Sequence, residues 1–184
     1  MKRALDVIMS ALALLLFSPL LLVAAAAVGI ESGRPILFRQ TRLGLHGREF
    51  RIYKFRSMVT DAAAQGPYYT ADGDPRITRV GRWLRRTSID ELPQLLNVLR
   101  GDMSLVGPRP DLPEQRALYS DADWAQRCSV RPGITGLAQA KLRSEATAAQ
   151  RLALDLRYTR EHSLLLDLRI IGWTLARATG KGSN

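Results

Sequence analysis

The chain is poor in the side chains on which most metal and nucleophilic chemistry depends. It has one cysteine, Cys128, so no intramolecular disulfide can form, and a reducing, cytoplasmic setting fits. Its two histidines, His46 and His162, are too few and too scattered for a His/Cys zinc site. The same scarcity argues against Ser-His or Cys-His catalysis, because the imidazole base would have to be one of two residues with no supporting motif beside it. No internal repeat is present, and 184 residues are about one domain's worth, enough for one hydrophobic core. Negative charge is also short, with 17 Asp and Glu against 27 Lys and Arg and a formal net charge of +10. The expected partners are therefore anionic: nucleic acid, phospholipid headgroups or phosphorylated small molecules, which composition alone does not rank. Chemistry in such a chain has to run on carboxylates and arginines, with or without a hard metal.

What the N-terminus does have is an uncharged, mostly apolar run from Ala11 to Ile30. At about 20 residues it spans about 30 Å as a straight helix, the thickness of a bilayer core. Three readings compete. A cleaved signal peptide is favoured by Lys2-Arg3 and by the small residues Ala24 to Ala27, but it would export a domain suited to cytoplasmic phosphates. A straight spanning helix must violate the charge rule on one side, because Lys2 and Arg3 precede the run while Arg34, Arg39, Arg42, Arg48 and Arg51 follow it. A hairpin that enters and leaves by one face satisfies both flanks. Ser18-Pro19, near the middle of the run, is its natural kink: proline removes one helical hydrogen bond and Ser18 can re-satisfy the freed backbone. Charge and proline alone leave the spanning helix and the hairpin open.

Two later segments read as interfacial. ITRVGRWLRR (77–86) places Ile77, Val80 and Leu84 at helical spacing, surrounded by Trp83 and four arginines, as in a basic helix lying on anionic headgroups. SLLLDLRIIGWTLAR, near the C-terminus, is too apolar for a free surface helix, and a core helix explains it almost as well. Between them the coarse organisation is a small β-hairpin around Gly44 to Gly47, a Gly, Ala, Asp and Pro rich loop over 59–75, and helices near 76–86, 93–100, 113–127, 145–162 and 163–178. GKGSN at the C-terminus reads as a polar tail.

TSIDELPQLLNVLRGDMSLVGPRP (87–110) carries the chemistry. Ser88 and Glu91 satisfy an S-x-x-E capping pattern, so both acids could simply start a helix. Pro93, however, fits best at the first position of the helix PQLLNVLR, which ends at Gly101 and leaves Asp90 and Glu91 on the entering turn. Helix N–H groups and the Arg82, Arg85, Arg86 cluster would hold Asp90 ionised there. An ionised aspartate can attack phosphorus while its neighbour holds a metal ion, a division of labour that suits diverging side chains. Arg109, between two prolines, presents a guanidinium fork to phosphate oxygens, and Arg131 before the Pro132-Gly133 turn repeats the idea. Two rivals remain. Asp72-Gly73-Asp74 has the D-x-D form of a metal motif in nucleotide-sugar glycosyltransferases, though D-G-D before proline is more often a turn. A membrane-tethered, arginine-rich nucleic-acid binder accounts for the charge but for neither the acidic pair nor GPRP.

KRALDVIMSALALLLFSP, FRIYKFRSM, DPRITRVGRWLRRTSIDELPQLLNVLRGDMSLVGPRP and RPGITGLAQ together resemble, nearly end to end, the small monotopic phosphoglycosyl transferases of the bacterial sugar transferase family. The resemblance implies an α+β, mainly helical fold: residues 1–32 as a re-entrant membrane helix-break-helix turning at Ser18 and Pro19, and residues 33–184 as a compact catalytic domain with a small β-hairpin and interfacial amphipathic helices. It implies a monotopic protein on the cytoplasmic face of the bacterial inner membrane. It implies a two-step reaction in which Asp90 attacks the β-phosphorus of a UDP-sugar, releases UMP and holds the phosphosugar covalently. Polyprenyl (undecaprenyl) phosphate then attacks to give polyprenyl-diphospho-sugar, the first membrane step of glycoconjugate assembly. Glu91, with Asp90 beside it, is implied to bind Mg2+ and to assist proton movement. Arg109 and Pro110 look like uridine-nucleotide contacts, and Lys54 and Arg56 like active-site cations. QAKLR lacks an Asn-Gly turn that relatives often carry, so Arg143 aligns with a phosphate-binding arginine in altered surroundings. Asp155 and Tyr158 match acidic and aromatic positions for which packing is an equally good explanation. The partners implied are the UDP-sugar, polyprenyl phosphate and the lipid bilayer, with no nucleic acid; assembly into a homo-oligomer is left open.

Overall fold

The computed structural model of the chain describes residues 1–62, 64–66, 71, 73–142 and 147–178. Asp72, Arg143 and the GKGSN tail lie outside the described residues.

The apolar N-terminus forms two helices, α1 (Lys2–Leu16) and α2 (Ser18–Ser32), bent by 64° at Phe17. The bend has a local cause. Pro19 has no N–H to donate to the carbonyl four residues back, which is that of Leu15, and the Ser18 hydroxyl donates to that carbonyl instead at 2.8 Å. No single helix among the described residues is long and apolar enough to cross a membrane, whereas the bent pair together has the length and hydropathy for it. Leu12, Leu15, Leu16, Leu22 and Val23 are exposed on its outside.

The inner side of the pair is built into the rest of the chain. Lys2 pairs with Asp167 at 2.5 Å and donates to the Val106 carbonyl. Arg3 donates to the carbonyls of Val98 and Leu99, and buried Asp6 accepts from Ser104 Oγ and the Leu105 N–H. Farther along, Ala24 and Val28 of α2 pack with Phe55, Leu84 and Ile89 in one apolar cluster.

The expected hairpin is present. Strands β1 (Leu37–Leu43) and β2 (Glu49–Phe55) pair antiparallel from Leu37 opposite Phe55 to Leu43 opposite Glu49. The segment read as a basic interfacial helix is α3 (Arg79–Arg86), capped by Thr78, whose hydroxyl accepts from Gly81 N–H, and by Glu31, which accepts from the N–H groups of Arg79 and Val80. Val80 and Leu84 face the apolar cluster, so one side of this helix is core; Trp83, 45 % exposed, and Arg79, Arg82 and Arg86 face outward.

A 3-10 turn (Ile89–Glu91) leads into α4 (Gln94–Arg100), which ends at Gly101 with a left-handed φ of 95°. Two three-residue strands that no periodicity announces follow, β3 (Ser104–Val106) and β4 (Gly133–Thr135), paired in parallel. The single helix expected over 113–127 is instead a 3-10 segment (Pro113–Leu118) and a separate α5 (Asp121–Arg127). Tyr119 is extended between them, and Ser120 starts α5 by accepting from the Asp123 N–H. A short α6 (Leu137–Lys141), absent from the sequence reading, precedes α7 (Ala148–Glu161), capped by Thr147 with Gln150, and α8 (Leu164–Ala178). In α8 Asp167 and Ile170 face inward while Leu165, Leu168 and Leu175 are exposed. The fold is thus mostly helical with two small sheets.

Candidate active site

Asp90 and Glu91 sit on the 3-10 turn that enters α4, where the proline register puts them. Ser88 before them has a left-handed φ of 57° and makes no side-chain cap. The capping-box reading of Ser88 and Glu91 is therefore not realised, because the Glu91 carboxylate is turned away from the helix toward cations. Its Oε1 accepts from Lys54 Nζ of β2 at 2.6 Å and from Arg109 Nη2 at 2.9 Å. Burial pushes the Glu91 carboxyl up, but Arg109 and Lys54 outweigh it and bring it down to about 2.

Asp90 has the opposite environment. It is 8 % exposed, and none of the hydrogen bonds formed among the described residues ends on its carboxylate. Burial raises its carboxyl above the ordinary range, the Glu91 charge raises it further, and Lys54, Arg85 and Arg109 only partly oppose this. The expectation that helix N–H groups and arginines would hold Asp90 firmly ionised gives way here to desolvation. Lys54, in turn, is lowered by burial against the pull of Glu91.

The loop 107–110 carries Arg109 into this cluster. Gly107 has no room for a side chain, since a Cβ there would lie 2.2 Å from the Arg131 carbonyl oxygen. The loop is pinned along its length: Gly107 N–H donates to Thr135, Gly133 N–H to the Pro108 carbonyl and Leu43 N–H to that of Asp111. Arg42 donates to the Pro110 carbonyl at 3.1 Å. Pro108 and Pro110 are buried, while the Arg109 side chain stands 49 % exposed over Glu91.

Several expected residues are placed elsewhere. Arg56 is buried with its guanidinium on the carbonyls of Ser32 and Gly33, so it caps the C-terminal end of α2 and does not face the acidic pair. Arg131 donates to the Gly101 carbonyl at the end of α4. Asp74 is tied to Arg76 at 2.7 Å and held at about 2 by that hydrogen bond, while Asp72 lies outside the described residues, as does Arg143. Tyr158 donates its hydroxyl to Asp167 at 2.7 Å, with the Val106 carbonyl also 3.0 Å from that oxygen, and Asp155 pairs with Arg127, both in the interior. Of the Arg82, Arg85, Arg86 cluster expected to act on Asp90, Arg85 is the member that does so, anchored on Ser57 Oγ at 2.9 Å. Arg42, which the sequence shows only as charge flanking the apolar run, also lies close to the site.

The described residues hold no cluster of three or more His, Cys, Asp or Glu side chains suited to a metal ion. The donor set at the turn is two adjacent carboxylates, one of them without a hydrogen-bond partner among the described residues. That set fits a cation such as Mg2+, which is commonly held by one or two carboxylates together with substrate phosphates. A cleft of about 890 Å³ is lined by Leu14, Leu21, Phe38 and Leu96, with Arg34, Arg39 and Arg56 contributing charge, and it reaches Pro93, two residues past Glu91.

A family model described as bacterial sugar transferase matches residues 1–181. The chain belongs to the bacterial sugar transferase family. Three similar relatives show how it compares with members of that family. An undecaprenyl-phosphate glucose phosphotransferase of Komagataeibacter xylinus is 48 % identical over 96 % of this chain and 35 % of that protein. A UDP-glucose:undecaprenyl-phosphate glucose-1-phosphate transferase of Caulobacter vibrioides is 51 % identical over 92 % of this chain and 66 % of that protein. The exopolysaccharide production protein PSS of Rhizobium leguminosarum bv. phaseoli is 46 % identical over 99 % of this chain and 96 % of that protein. The chain thus spans about a third of the first relative, just under two thirds of the second and nearly all of the third.

Proposed function

We propose that this chain is a phosphoglycosyl transferase that moves a phosphosugar from a UDP-sugar to undecaprenyl phosphate and releases UMP. The observation that carries the reading is the turn of a family member in which one carboxylate, Asp90, is buried and accepts no hydrogen bond among the described residues while its neighbour, Glu91, is tied to Lys54 and Arg109.

The chemistry runs in two displacements. An Asp90 carboxylate oxygen attacks the β-phosphorus of the UDP-sugar, and the bond from that phosphorus to the bridging oxygen breaks. UMP leaves with the oxygen and the sugar phosphate is held as an acyl phosphate. A phosphate oxygen of undecaprenyl phosphate then attacks the same phosphorus, the bond to Asp90 breaks, and the carboxylate is restored. Partial burial of Asp90 favours the first step, since its carboxylate gives up no hydrogen bond to another described residue before it attacks. Arg109 and Lys54 change partner from Glu91 to the phosphate oxygens, where guanidinium and ammonium neutralise charge on the pentacoordinate phosphorus. Glu91 and Asp90 would hold a Mg2+ ion, which would supply neutralisation of the negative charge on the leaving UMP.

The bent pair α1 and α2 is read as a re-entrant element whose exposed leucines sit in lipid and whose two ends return to the cytoplasmic face, with the outer arginines of α3 on anionic headgroups. The leucine-lined cleft, which reaches Pro93, suits a prenyl chain whose phosphate must reach Asp90. Incubation with Mg2+, undecaprenyl phosphate and a panel of UDP-sugars is expected to release UMP. Mass analysis of protein quenched without the acceptor is expected to find a phosphosugar on Asp90. No UMP with any UDP-sugar sinks the reaction; UMP with no adduct sinks the covalent route alone.

A further inference from the structure

Arg127, the last residue of α5, is buried to 7 % exposure at a place no step above uses. Its guanidinium is fully committed. Nε donates to Asp155 of α7 at 3.0 Å, Nη1 pairs with Asp111, and Nη2 donates to the backbone carbonyl of Arg109 at 2.7 Å. Tyr119 lies 5.4 Å away with its ring under the guanidinium. Arg127 therefore grips both residues that flank Pro110. The two prolines narrow the dihedrals of the loop but do not dock it. Of the contacts that do, the one from Arg127 is made to Arg109 itself, whose own side chain is half exposed and, among the described residues, hydrogen-bonds to Glu91 alone.

We infer that Arg127 is a positioning residue for the proposed transferase reaction: it fixes the backbone from which Arg109 reaches the substrate diphosphate. A buried ion pair that merely holds α5 to α7 would need only Asp155. The bonds to Asp111 and to the Arg109 carbonyl instead aim the same fork at the loop, and only arginine can serve three acceptors in one plane. Lysine keeps the charge but has neither the plane nor the reach. The inference rests on the proposed reaction, and the experiment separates the two.

The test is a double-mutant cycle on UMP release with Arg127→Lys and Arg109→Met, assayed well below the melting temperature of all four proteins. Arg127→Lys alone is expected to lower kcat/KM about 10- to 100-fold, as a displaced positioning group does. In the Arg109→Met background it is expected to lower it less than about 2-fold, because the group it positions is gone. A merely structural Arg127 gives the same loss in both backgrounds, and that result overturns the assignment. Asp155→Asn is the second variant: it loosens Arg127 from α7 but leaves both loop contacts, so kcat/KM is expected within about 3-fold of wild type. A loss above about 10-fold that persists without Arg109 overturns the assignment even where Arg127→Lys fails to fold. Wild-type protein that releases no UMP defeats the reaction itself, whereas additive losses beside an active wild type defeat only the role given to Arg127.

Discussion

Asp90 and Glu91 are neighbours on one turn whose surroundings drive their protonation in opposite directions. Burial raises the Asp90 carboxyl and the Glu91 charge adds to it, while Arg109 and Lys54 overcome the burial of Glu91 and bring it to about 2. The turn thus makes one carboxylate easier to protonate and keeps the other charged. A single residue of offset along the chain separates them, because among the described residues Glu91 is the one hydrogen-bonded to Lys54 Nζ and Arg109 Nη2.

Substitution of the two acids should therefore shift stability in opposite senses. A carboxyl raised in the folded state stabilises the fold while protonated, and that contribution is lost as pH rises through its folded value. At neutral pH Asp90 is on the unfavourable side. Asp90→Asn is expected to abolish UMP release yet raise the melting temperature at about pH 7 in magnesium-free buffer by about 2–4 °C, the scale of ~1 kcal/mol, with the gain shrinking near pH 4. A lowered carboxyl contributes stability above its unfolded value and loses it as pH falls, for Glu91 toward about 2. Glu91→Gln is expected to lower the melting temperature at neutral pH by about 3–6 °C, leaving Lys54 and Arg109 without their acceptor. Thermal unfolding of both variants decides this, and shifts of the same sign would contradict it.

Leu84 joins α2 to the turn that carries Asp90 and Glu91. It is fully buried among Ala24, Val28, Phe55 and Ile89, and Ile89 opens the turn that carries Asp90. Leu84→Ala is expected to cost about 2–5 kcal/mol through lost burial and the cavity left behind. The adjacent Trp83→Ala, on the exposed face, should leave unfolding nearly unchanged and weaken binding to anionic vesicles. Denaturant titration and vesicle sedimentation read the two effects separately. A large stability loss from Trp83→Ala would mean that α3 is seated the other way round.

Oxygen donors at Asp90 and Glu91 favour a small, hard cation. EDTA is expected to stop UMP release, and added Mg2+ to restore it. Ca2+ should restore less, because its longer bonds and higher coordination number do not suit two carboxylates and a diphosphate. Undiminished turnover in EDTA would remove the metal from the mechanism and leave Arg109 and Lys54 to neutralise the phosphates alone.

The parts of this architecture that are legible in the sequence are those with local causes. The Ser18-Pro19 break, the hairpin around Gly44 to Gly47 and the placement of Asp90 and Glu91 before the helix that ends at Gly101 follow from proline chemistry, alternation and capping. What is not legible depends on partners far along the chain. The strands Ser104–Val106 and Gly133–Thr135 are too short to show a period and exist because they pair with each other. Arg56 sits in YKFRSM like a site cation, yet its acceptors are the carbonyls of Ser32 and Gly33, more than 20 residues away. Asp90 illustrates the same point in energy: the arginines near it in sequence are visible, the desolvation that outweighs them is not.

The bend at Phe17 carries the last prediction. Ser18 Oγ holds the carbonyl of Leu15 that Pro19 leaves without a donor, and the helices part by 64°, so the two arms are held at an angle by local chemistry. In a re-entrant element Lys2 and the turn at Gly47 share the cytoplasmic face; in a straight crossing they lie on opposite sides. With Cys128 replaced by serine, single cysteines in place of exposed Ala4 and Arg48 should both be protected from a membrane-impermeant maleimide in intact cells and both react after permeabilisation. Replacing Ser18 and Pro19 together by leucine restores the missing hydrogen bond and an unbroken apolar helix. The cysteine at position 4 is then expected to react from outside in part of the population, limited by Lys2 and Arg3, which resist translocation. Reaction of either cysteine from outside in the chain with Ser18-Pro19 intact would rule out the re-entrant arrangement.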